Sequence, residues 1–147
     1  MKHEPFVIER TYNAPVEKVW KAITDIKEMR QWYMSEIEDF KPVVGFTTVV
    51  PVKNVKETGK DFIHHWKVTE VIPNKKIAYQ WRYEGNPGNS VVTFELIPEG
   101  NTTILKLTHE GLETFEPATY PQYARENFEK GWTGFIDGKL KKYVEQQ

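Results

Sequence analysis

The pattern of hydrophobic and polar positions predicts that a strand and two short helices open the chain. Residues 6–12, FVIERTY, are rich in β-branched and aromatic residues and are typical of a strand. In NAPVEKVWKAIT, Asn13 stands at a capping position and apolar residues recur at helical spacing. In DIKEMRQWYM, Asp25 and Glu28 have capping-box spacing, which predicts the start of a second helix.

From residue 36 onward the hydrophobic period changes to two, which indicates strands. Short clusters of Gly, Pro, Asn and Asp separate six such runs: EIEDF, FTTVVPVK, FIHHWKVTEVI, KIAYQWRYE, SVVTFELI and TTILKLTHE. The short turns predict an antiparallel meander. Its best-defined hairpin joins residues 91–97 to residues 102–109 across a turn in which Gly100 supplies a positive φ.

One face of the predicted sheet is strongly aromatic, and a C-terminal helix is expected to cover it. Tyr79, Trp81 and Tyr83 alternate with polar residues, as in a half-buried strand. Residues 122–145 return to helical spacing and carry an apolar stripe. The two apolar surfaces bury each other most simply in one α+β domain of residues 1–147, with the order β-α-α-β-β-β-β-β-β-α and a curved antiparallel sheet around the long helix.

Three glycines interrupt the predicted C-terminal helix, in the stretch EKGWTGFIDGKLKKYV. Each costs about 1 kcal/mol relative to alanine. Gly131, Gly134 and Gly138 fall on one side of an α-helix, beside Trp132 and Phe135. A bare strip facing the sheet would leave a pocket lined by aromatic side chains. The residues leave open the alternative that glycine permits close packing or bending of the helix.

Composition narrows the classes of function. Aromatic residues make up 14% of the chain, and its five tryptophans must fill a thick core or line a pocket. The formal net charge of −1 gives no basic excess, so nucleic-acid binding is not expected. The chain has no cysteine, no signal-like start and no apolar run of about 18 residues, so we expect a cytoplasmic protein without a membrane span.

The histidines give weak signals for catalysis or metal binding. His64 and His65 are adjacent in a strand and point to opposite faces, so they cannot chelate one metal ion together. We therefore expect neither a metal nor a cofactor. His109 shares its face with Leu105 and Leu107, and a hydrogen-bonded position at the rim is a more common role for such a residue than a catalytic base.

Glu70 is the other polar residue of interest. It shares strand parity with Trp66 and Val68, which predicts an inward carboxylate. A buried carboxylate needs a partner, and Arg82, Lys106 or a tyrosine hydroxyl are the candidates. A structural pair is the favoured interpretation over a ligand-orienting or acid–base role. No serine lies in a nucleophile elbow and no Gly-rich loop follows a strand, so covalent catalysis and nucleotide binding lack support.

Four segments resemble the activator-of-heat-shock-protein-90-ATPase homologue family, within the START-like (SRPBCC), birch-pollen-allergen-like superfamily. They are APVEKVWKAITD, VTEVIPNKKIAYQW, VTFELIPEGNTTILKLTHEGL and GWTGFIDGKLKKYV, and the similarity spans residues 6–145. The resemblance implies a helix-grip fold with a deep apolar cavity between sheet and helix. The chain departs from the family pattern at two places: Trp66 replaces a common glycine, and Gly45 preceded by Val44 replaces a glycine pair. The bulky indole of Trp66 is expected to shrink or reshape that cavity.

Three functions are compatible with these features. The leading hypothesis is a module that binds a small hydrophobic or amphipathic molecule. The resemblance also implies two alternatives, a partner that activates a chaperone ATPase and a cyclase or dehydratase that uses Glu70 and His109 as catalytic residues. Fold alone implies none of them. The expected lining of the cavity is Trp66, Glu70, Tyr79, Trp81, Tyr83, Phe94, Leu107, His109, Phe128, Gly131, Trp132 and Phe135.

Overall fold

The computed structural model describes residues 4–53 and 61–146. Short 3₁₀ helices at Leu112–Phe115 and Pro121–Tyr123 follow the last strand, and a π-helical segment, Gly134–Lys139, joins the last two α-helices into one continuous C-terminal helix. The strands and α-helices are β1 (Phe6–Tyr12), α1 (Val16–Thr24), α2 (Ile26–Trp32), β2 (Thr47–Val52), β3 (Phe62–Ile72), β4 (Lys76–Tyr83), β5 (Ser90–Glu99), β6 (Thr102–Glu110), α3 (Arg125–Thr133) and α4 (Leu140–Glu145).

The strands form one antiparallel sheet in the order β1-β6-β5-β4-β3-β2. The hairpin predicted between β5 and β6 is confirmed. Glu99 pairs with Thr102, so Gly100 and Asn101 form the turn, and Gly100 has a φ of 63°. The predicted α+β class, with a sheet that grips the C-terminal helix, is confirmed as well.

One predicted strand is wrong. Residues 36–40, EIEDF, run as irregular backbone, so the described part of the chain has five strands after the two helices instead of six. The guanidinium of Arg30 donates to the carbonyl oxygens of Ile37 at 2.9 Å and Glu38 at 2.8 Å. The segment reaches the sheet edge through the Glu38 amide, which donates to the Val49 carbonyl at 3.2 Å. Because the arginine takes the carbonyl groups, they do not form a strand ladder.

The two short helices form as predicted, but their caps differ from the sequence-based expectation. Helix α1 begins after Pro15, and within the described residues no side chain caps it. The backbone amide of Asn13 instead donates to Glu145 Oε2 at 2.8 Å, which ties the start of α1 to the end of α4. Asp25 does precede α2, where its carbonyl accepts from the Glu28 amide at 3.0 Å, without a capping bond from its side chain among the described residues.

The three glycines of the C-terminal helix do not form a surface without side chains that faces the sheet. Gly134 and Gly138 are exposed, and a Cβ built on either of them, or on Gly131, meets no heavy atom within 4 Å among the described residues. Close packing against a neighbour is therefore wrong as an explanation. The helix widens into a π-helical segment that begins at Gly134, an irregularity that is frequent at functional sites.

Aromatic rings fill the centre of the interior between sheet and helix. Trp66 is only 2% exposed, and its ring centroid lies 5.5 Å from that of Tyr33, 4.8 Å from Tyr79 and 5.3 Å from Trp81. The hydroxyl groups of Tyr33 and Tyr79 are hydrogen-bonded at 2.8 Å. The deep cavity that the family resemblance implied is thus occupied at its centre, with Trp66 in the middle of the cluster.

Candidate functional site

An apolar pocket remains at one end of this interior, between the C-terminal helix and strands β2 to β4. Its volume is about 310 Å³, at the lower end of the range for small-molecule sites. The sheet, the helix and the segments next to them each contribute to its wall. The lining residues are Met34, Val52, Phe62, His64, Trp81, Tyr83, Gln122, Asn127, Phe128, Gly131, Trp132 and Phe135.

The regular spacing of residues in the strands and in the helix places the side chains of the pocket wall on surfaces that face each other. In the sheet, His64 of β3 lies directly opposite Tyr83 of β4, and alternate residues of both strands face the helix. In the helix, Phe128, Gly131 and Phe135 are spaced by three and four residues and so share one side. Gly131 is exposed and leaves open space where a side chain would start, so a larger residue there would project into the mouth of the pocket.

Some of the residues expected to line a cavity do line this pocket, whereas others are buried deeper. Trp81, Tyr83, Phe128, Gly131, Trp132 and Phe135 belong to the wall. The buried core beyond the pocket contains Trp66, Tyr79, Phe94, Leu107 and His109. Phe62 and His64 also line the pocket, and the sequence could have indicated them, because they alternate along β3 in step with Trp66 and so lie on the same face of the strand. Long-range packing alone brings in Met34, Val52, Gln122 and Asn127.

Glu70 does not point into the interior as its strand parity predicted. One extra residue, Thr69, stands between the pairs that Val68 and Glu70 form with β4, and this β-bulge breaks the alternation of faces. The Glu70 side chain is 46% exposed, and its Oε1 lies 3.3 Å from Lys76 Nζ. Its partner is thus a surface lysine that the sequence had not indicated, and its carboxylate is not part of the pocket wall.

His109 lies in the middle of a buried hydrogen-bond chain, so the expected rim position is wrong. The indole N–H of Trp132 donates to His109 Nδ1 at 2.9 Å. The Ser90 hydroxyl donates to the Trp81 carbonyl at 2.8 Å, so it accepts from His109 Nε2, also at 2.8 Å. The imidazole is therefore neutral with its hydrogen on Nε2, and burial lowers its pKa to about 3.

This chain of hydrogen bonds gives His109 a positioning role. It fixes the Trp132 indole on the helix relative to the backbone of Trp81 on β4, and both tryptophans line the pocket. Both ring nitrogens of His109 are engaged inside the protein, and the residue is completely buried. The geometry therefore favours support of the pocket wall over proton transfer to a bound molecule.

His64 places a neutral imidazole in the pocket wall. Its Nδ1 lies 2.9 Å from the Val50 carbonyl, which can only accept, so Nδ1 carries the hydrogen and Nε2 is a hydrogen-bond acceptor. Burial lowers the pKa of His64 to about 4. His65 points to the opposite face, as alternation predicts, where its Nε2 lies 3.0 Å from Glu84 Oε1.

Two buried indole N–H groups, those of Trp66 and Trp81, have no hydrogen-bond partner among the residues that the structure describes. The Trp81 side chain does interact electrostatically with the Tyr83 hydroxyl, but its N–H makes no hydrogen bond that meets the usual distance and angle limits. An unsatisfied buried donor costs about 1–3 kcal/mol. Trp81 lines the pocket through other atoms of its side chain, because its indole N–H is itself buried.

An outer recess with several polar lining residues lies next to the pocket. This recess has a volume of about 740 Å³. It shares Met34, Val52, Asn127, Gly131 and Phe135 with the pocket. Its remaining lining residues are Tyr33, Ser35, Glu36, Lys130 and Lys139. The apolar pocket thus borders a recess with charged walls, here called the charged entrance, on the side of the C-terminal helix.

A separate groove of about 530 Å³ lies on the opposite face of the sheet. Polar side chains make up most of its wall, among them His65, Lys67, Gln80 and Arg82. Its wall is more polar than that of the pocket between sheet and helix, whereas small-molecule sites are mostly apolar. The pocket between sheet and helix is therefore the better candidate site.

Two further features bear on the class of protein. Within residues 4–53 and 61–146, no group of three histidine, aspartate or glutamate side chains is arranged to hold a metal ion. No helix in the same residues is long and apolar enough to cross a membrane. The candidate site is therefore built from aromatic residues and single polar groups.

The antiparallel sheet, the long helix across it and the aromatic interior define a START-like helix-grip protein. The family model described as "Activator of Hsp90 ATPase homolog 1-like protein" matches residues 13–145, and the chain belongs to this family. The match confirms the resemblance that the four sequence segments indicated. No curated protein matches the chain significantly.

Solved structures of bacterial proteins share this fold. The crystal structure of protein MLL2253 from Mesorhizobium loti is 29% identical, with a TM-score of 0.75 and 96% of each chain covered. Protein CV1439 from Chromobacterium violaceum is 21% identical, with a TM-score of 0.81 and full coverage of both chains. The solution structure of the Aha1 dimer from Colwellia psychrerythraea is 24% identical, with a TM-score of 0.67 and 96% of each chain covered.

Proposed function

We propose that the protein binds a small hydrophobic or amphipathic molecule in the pocket between β2 to β4 and the C-terminal helix. The observation that carries this proposal is the composition of the wall, which is aromatic and aliphatic except for His64, Gln122 and Asn127. Apolar walls with a few polar groups are typical of small-molecule sites. The helix-grip fold and the family membership support the same function.

The size of the pocket predicts weak affinity. A ligand that buries roughly 200 Å² of apolar surface, about the area of one aromatic side chain, gains about 5 kcal/mol at 25 cal/mol per Å². Part of this gain is offset by the lost freedom of the ligand. A gain of about 5 kcal/mol alone corresponds to a dissociation constant of about 0.2 mM, so after this offset we expect a value of about 0.2–1 mM or weaker.

One polar group of the pocket wall, the imidazole of His64, orients the bound molecule in this proposal. His64 Nε2 accepts a hydrogen bond from a hydroxyl or amide of the ligand, because Nδ1 already carries the ring hydrogen. A ligand that carries such a donor is therefore favoured over a pure hydrocarbon.

Blocking the mouth of the pocket tests the proposal. Gly131→Leu places a side chain at the mouth of the pocket. Gly138→Leu adds the same side chain at an exposed position of the same helix, and that position lines neither the pocket nor the outer recess. The neutral apolar probe N-phenyl-1-naphthylamine is titrated into each variant, and its fluorescence is measured. We expect Gly131→Leu to weaken binding at least about tenfold, or about 1.4 kcal/mol. Equal affinity of the two variants would contradict the proposal.

A chaperone-partner role is a second candidate, because the description of the family names an activator of the Hsp90 ATPase. The test is the ATPase rate of purified heat-shock protein 90 with and without this protein. A rate increase that survives Gly131→Leu would separate this role from ligand binding. The enzyme alternative draws no support from its two candidate residues, since Glu70 pairs with Lys76 at the surface and His109 is enclosed in the core.

A further inference from the structure

We propose that the ligand is an anionic amphiphile whose apolar part occupies the pocket and whose acidic group lies between Lys130 and Lys139. This inference rests on the proposed function and specifies the class of ligand. It starts from the position of the outer recess next to the apolar pocket, because the two share Gly131 and Phe135 on the helix. A molecule that fills the pocket and extends through its mouth therefore meets the charged entrance.

The charges at this entrance are unbalanced. Lys130 and Lys139 both line the outer recess, and Glu36 is the one acidic side chain among the described residues that line it. Neither lysine forms an ion pair with any residue that the structure describes. Among the described residues the entrance thus carries an excess positive charge, which attracts anions and repels cations.

Phe135 connects the apolar and the charged part of the site. Its ring lines the pocket and the outer recess, and Lys139 Nζ lies 5.3 Å from the ring centroid. This cation–π contact holds the ammonium group at the boundary between the pocket and the outer recess. An acidic group placed there can interact with the lysine while the apolar remainder of the ligand lies against the aromatic wall.

Coulomb's law sets the size of the expected preference for an anion. Two unit charges about 4 Å apart interact by about 1 kcal/mol even in bulk water, which corresponds to about a fivefold change in affinity. Two lysines opposed by one glutamate leave an effect of at least this size. A neutral molecule with the same alkyl chain gains only the apolar part of the interaction.

A matched pair of ligands tests the preference. Decanoate and 1-decanol differ at the head group, and each is used to displace N-phenyl-1-naphthylamine from the pocket. We expect decanoate to bind the unmodified protein at least about fivefold more tightly than 1-decanol. Raising the ionic strength to about 1 M shortens the Debye length to about 3 Å and should narrow the difference.

Three changes of charge locate the effect. The double variant Lys130→Gln with Lys139→Gln should remove the advantage of decanoate and leave 1-decanol binding unchanged. Lys142 belongs to the same helix but lines neither the pocket nor the outer recess. Lys142→Gln should therefore preserve the tighter binding of decanoate over 1-decanol. Glu36→Gln removes the opposing charge and should strengthen decanoate binding by about fivefold, with no effect on the alcohol.

The outcomes separate this inference from the proposed function. If 1-decanol binds as tightly as decanoate, and Gly131→Leu weakens both, the pocket binds neutral ligands and only the anion preference is overturned. The preference is also overturned if Lys142→Gln reduces decanoate binding as much as the double variant does. If neither ligand displaces the probe and Gly131→Leu binds the probe like the unmodified protein, the proposed function fails together with this inference.

Discussion

Mild acid is predicted to destabilise the protein through two buried neutral histidines, His64 and His109. Burial lowers their pKa values to about 4 and about 3, whereas a histidine of the unfolded chain titrates near 6.5. Below pH 6.5 the unfolded chain therefore binds more protons than the folded protein. The stability from these groups is fully present above that pH and is lost as the pH falls toward the folded-state values.

The size of this loss follows from the two pKa shifts. Each pH unit between the unfolded and folded values costs about 1.4 kcal/mol per histidine. At about pH 5 the loss is about 2 kcal/mol for each residue and about 4 kcal/mol for both, out of a typical total of 5–15 kcal/mol. For His109 the cost also has a visible origin, because a proton on Nδ1 would face the indole N–H of Trp132 that now donates to it.

Urea unfolding at a series of pH values measures this effect. In His64→Gln and His109→Gln the amide keeps hydrogen-bonding groups and does not titrate, so each variant should lose stability less steeply below pH 6.5, by about 1.4 kcal/mol per pH unit. Thr103→Val is the control, since it removes a buried hydroxyl that donates to the Ala14 carbonyl and should keep the original pH dependence. If both glutamine variants retain the slope of the unmodified protein, the buried neutral histidines are not the cause.

Three further substitutions are predicted to change stability, each measured by urea unfolding. Gly134→Ala should stabilise the protein by about 1 kcal/mol, because the residue has helical φ and ψ and open space at its Cβ position; destabilisation would mean that the π-helical segment requires glycine. Gly88→Ala should destabilise it by more than about 1 kcal/mol, since φ is +103° and a Cβ would lie 2.6 Å from the Thr114 carbonyl oxygen; a neutral result would contradict this. Tyr12→Phe should cost about 1 kcal/mol through the lost 2.6 Å hydrogen bond to the Ile136 carbonyl, and no change would refute that assignment.

Local patterns were enough to predict most of the sheet and both short helices. The alternation of Tyr79, Trp81 and Tyr83 identified the buried face of β4, and all three are nearly inaccessible to solvent. The β5–β6 hairpin was predictable because the two runs are separated by a tight turn with a glycine that adopts a positive φ. These features depend on neighbouring residues in the chain, which is why the sequence reveals them.

The errors arose where a distant or irregular contact overrides the local pattern. Residues 36–40 alternate like a strand, but Arg30 occupies the carbonyl groups of Ile37 and Glu38. Glu70 has inward parity only if the strand is regular, and the bulge at Thr69 reverses it. Neither the arginine contact nor the bulge leaves a signal in the spacing of hydrophobic residues.

The candidate site was predictable in part for the same reason. Aromatic alternation and helical spacing pointed to Trp81, Phe128, Trp132 and Phe135, which line the pocket. The sequence could not show that Trp66 fills the centre of the interior, because this depends on how its ring packs against rings from several elements. It also could not show the π-helical segment, which changes the direction in which the later glycines of the helix face.

The most direct test of the pocket is an NMR titration that follows the five tryptophan indole N–H groups. With decanoate or N-phenyl-1-naphthylamine as the added molecule, the resonances of Trp81 and Trp132, which line the pocket, should shift in a saturable way. The resonance of Trp20 on α1, which lines neither the pocket nor the outer recess, should stay in place. Unchanged Trp81 and Trp132 resonances at saturating ligand, or equal shifts at Trp20, would contradict binding in this pocket.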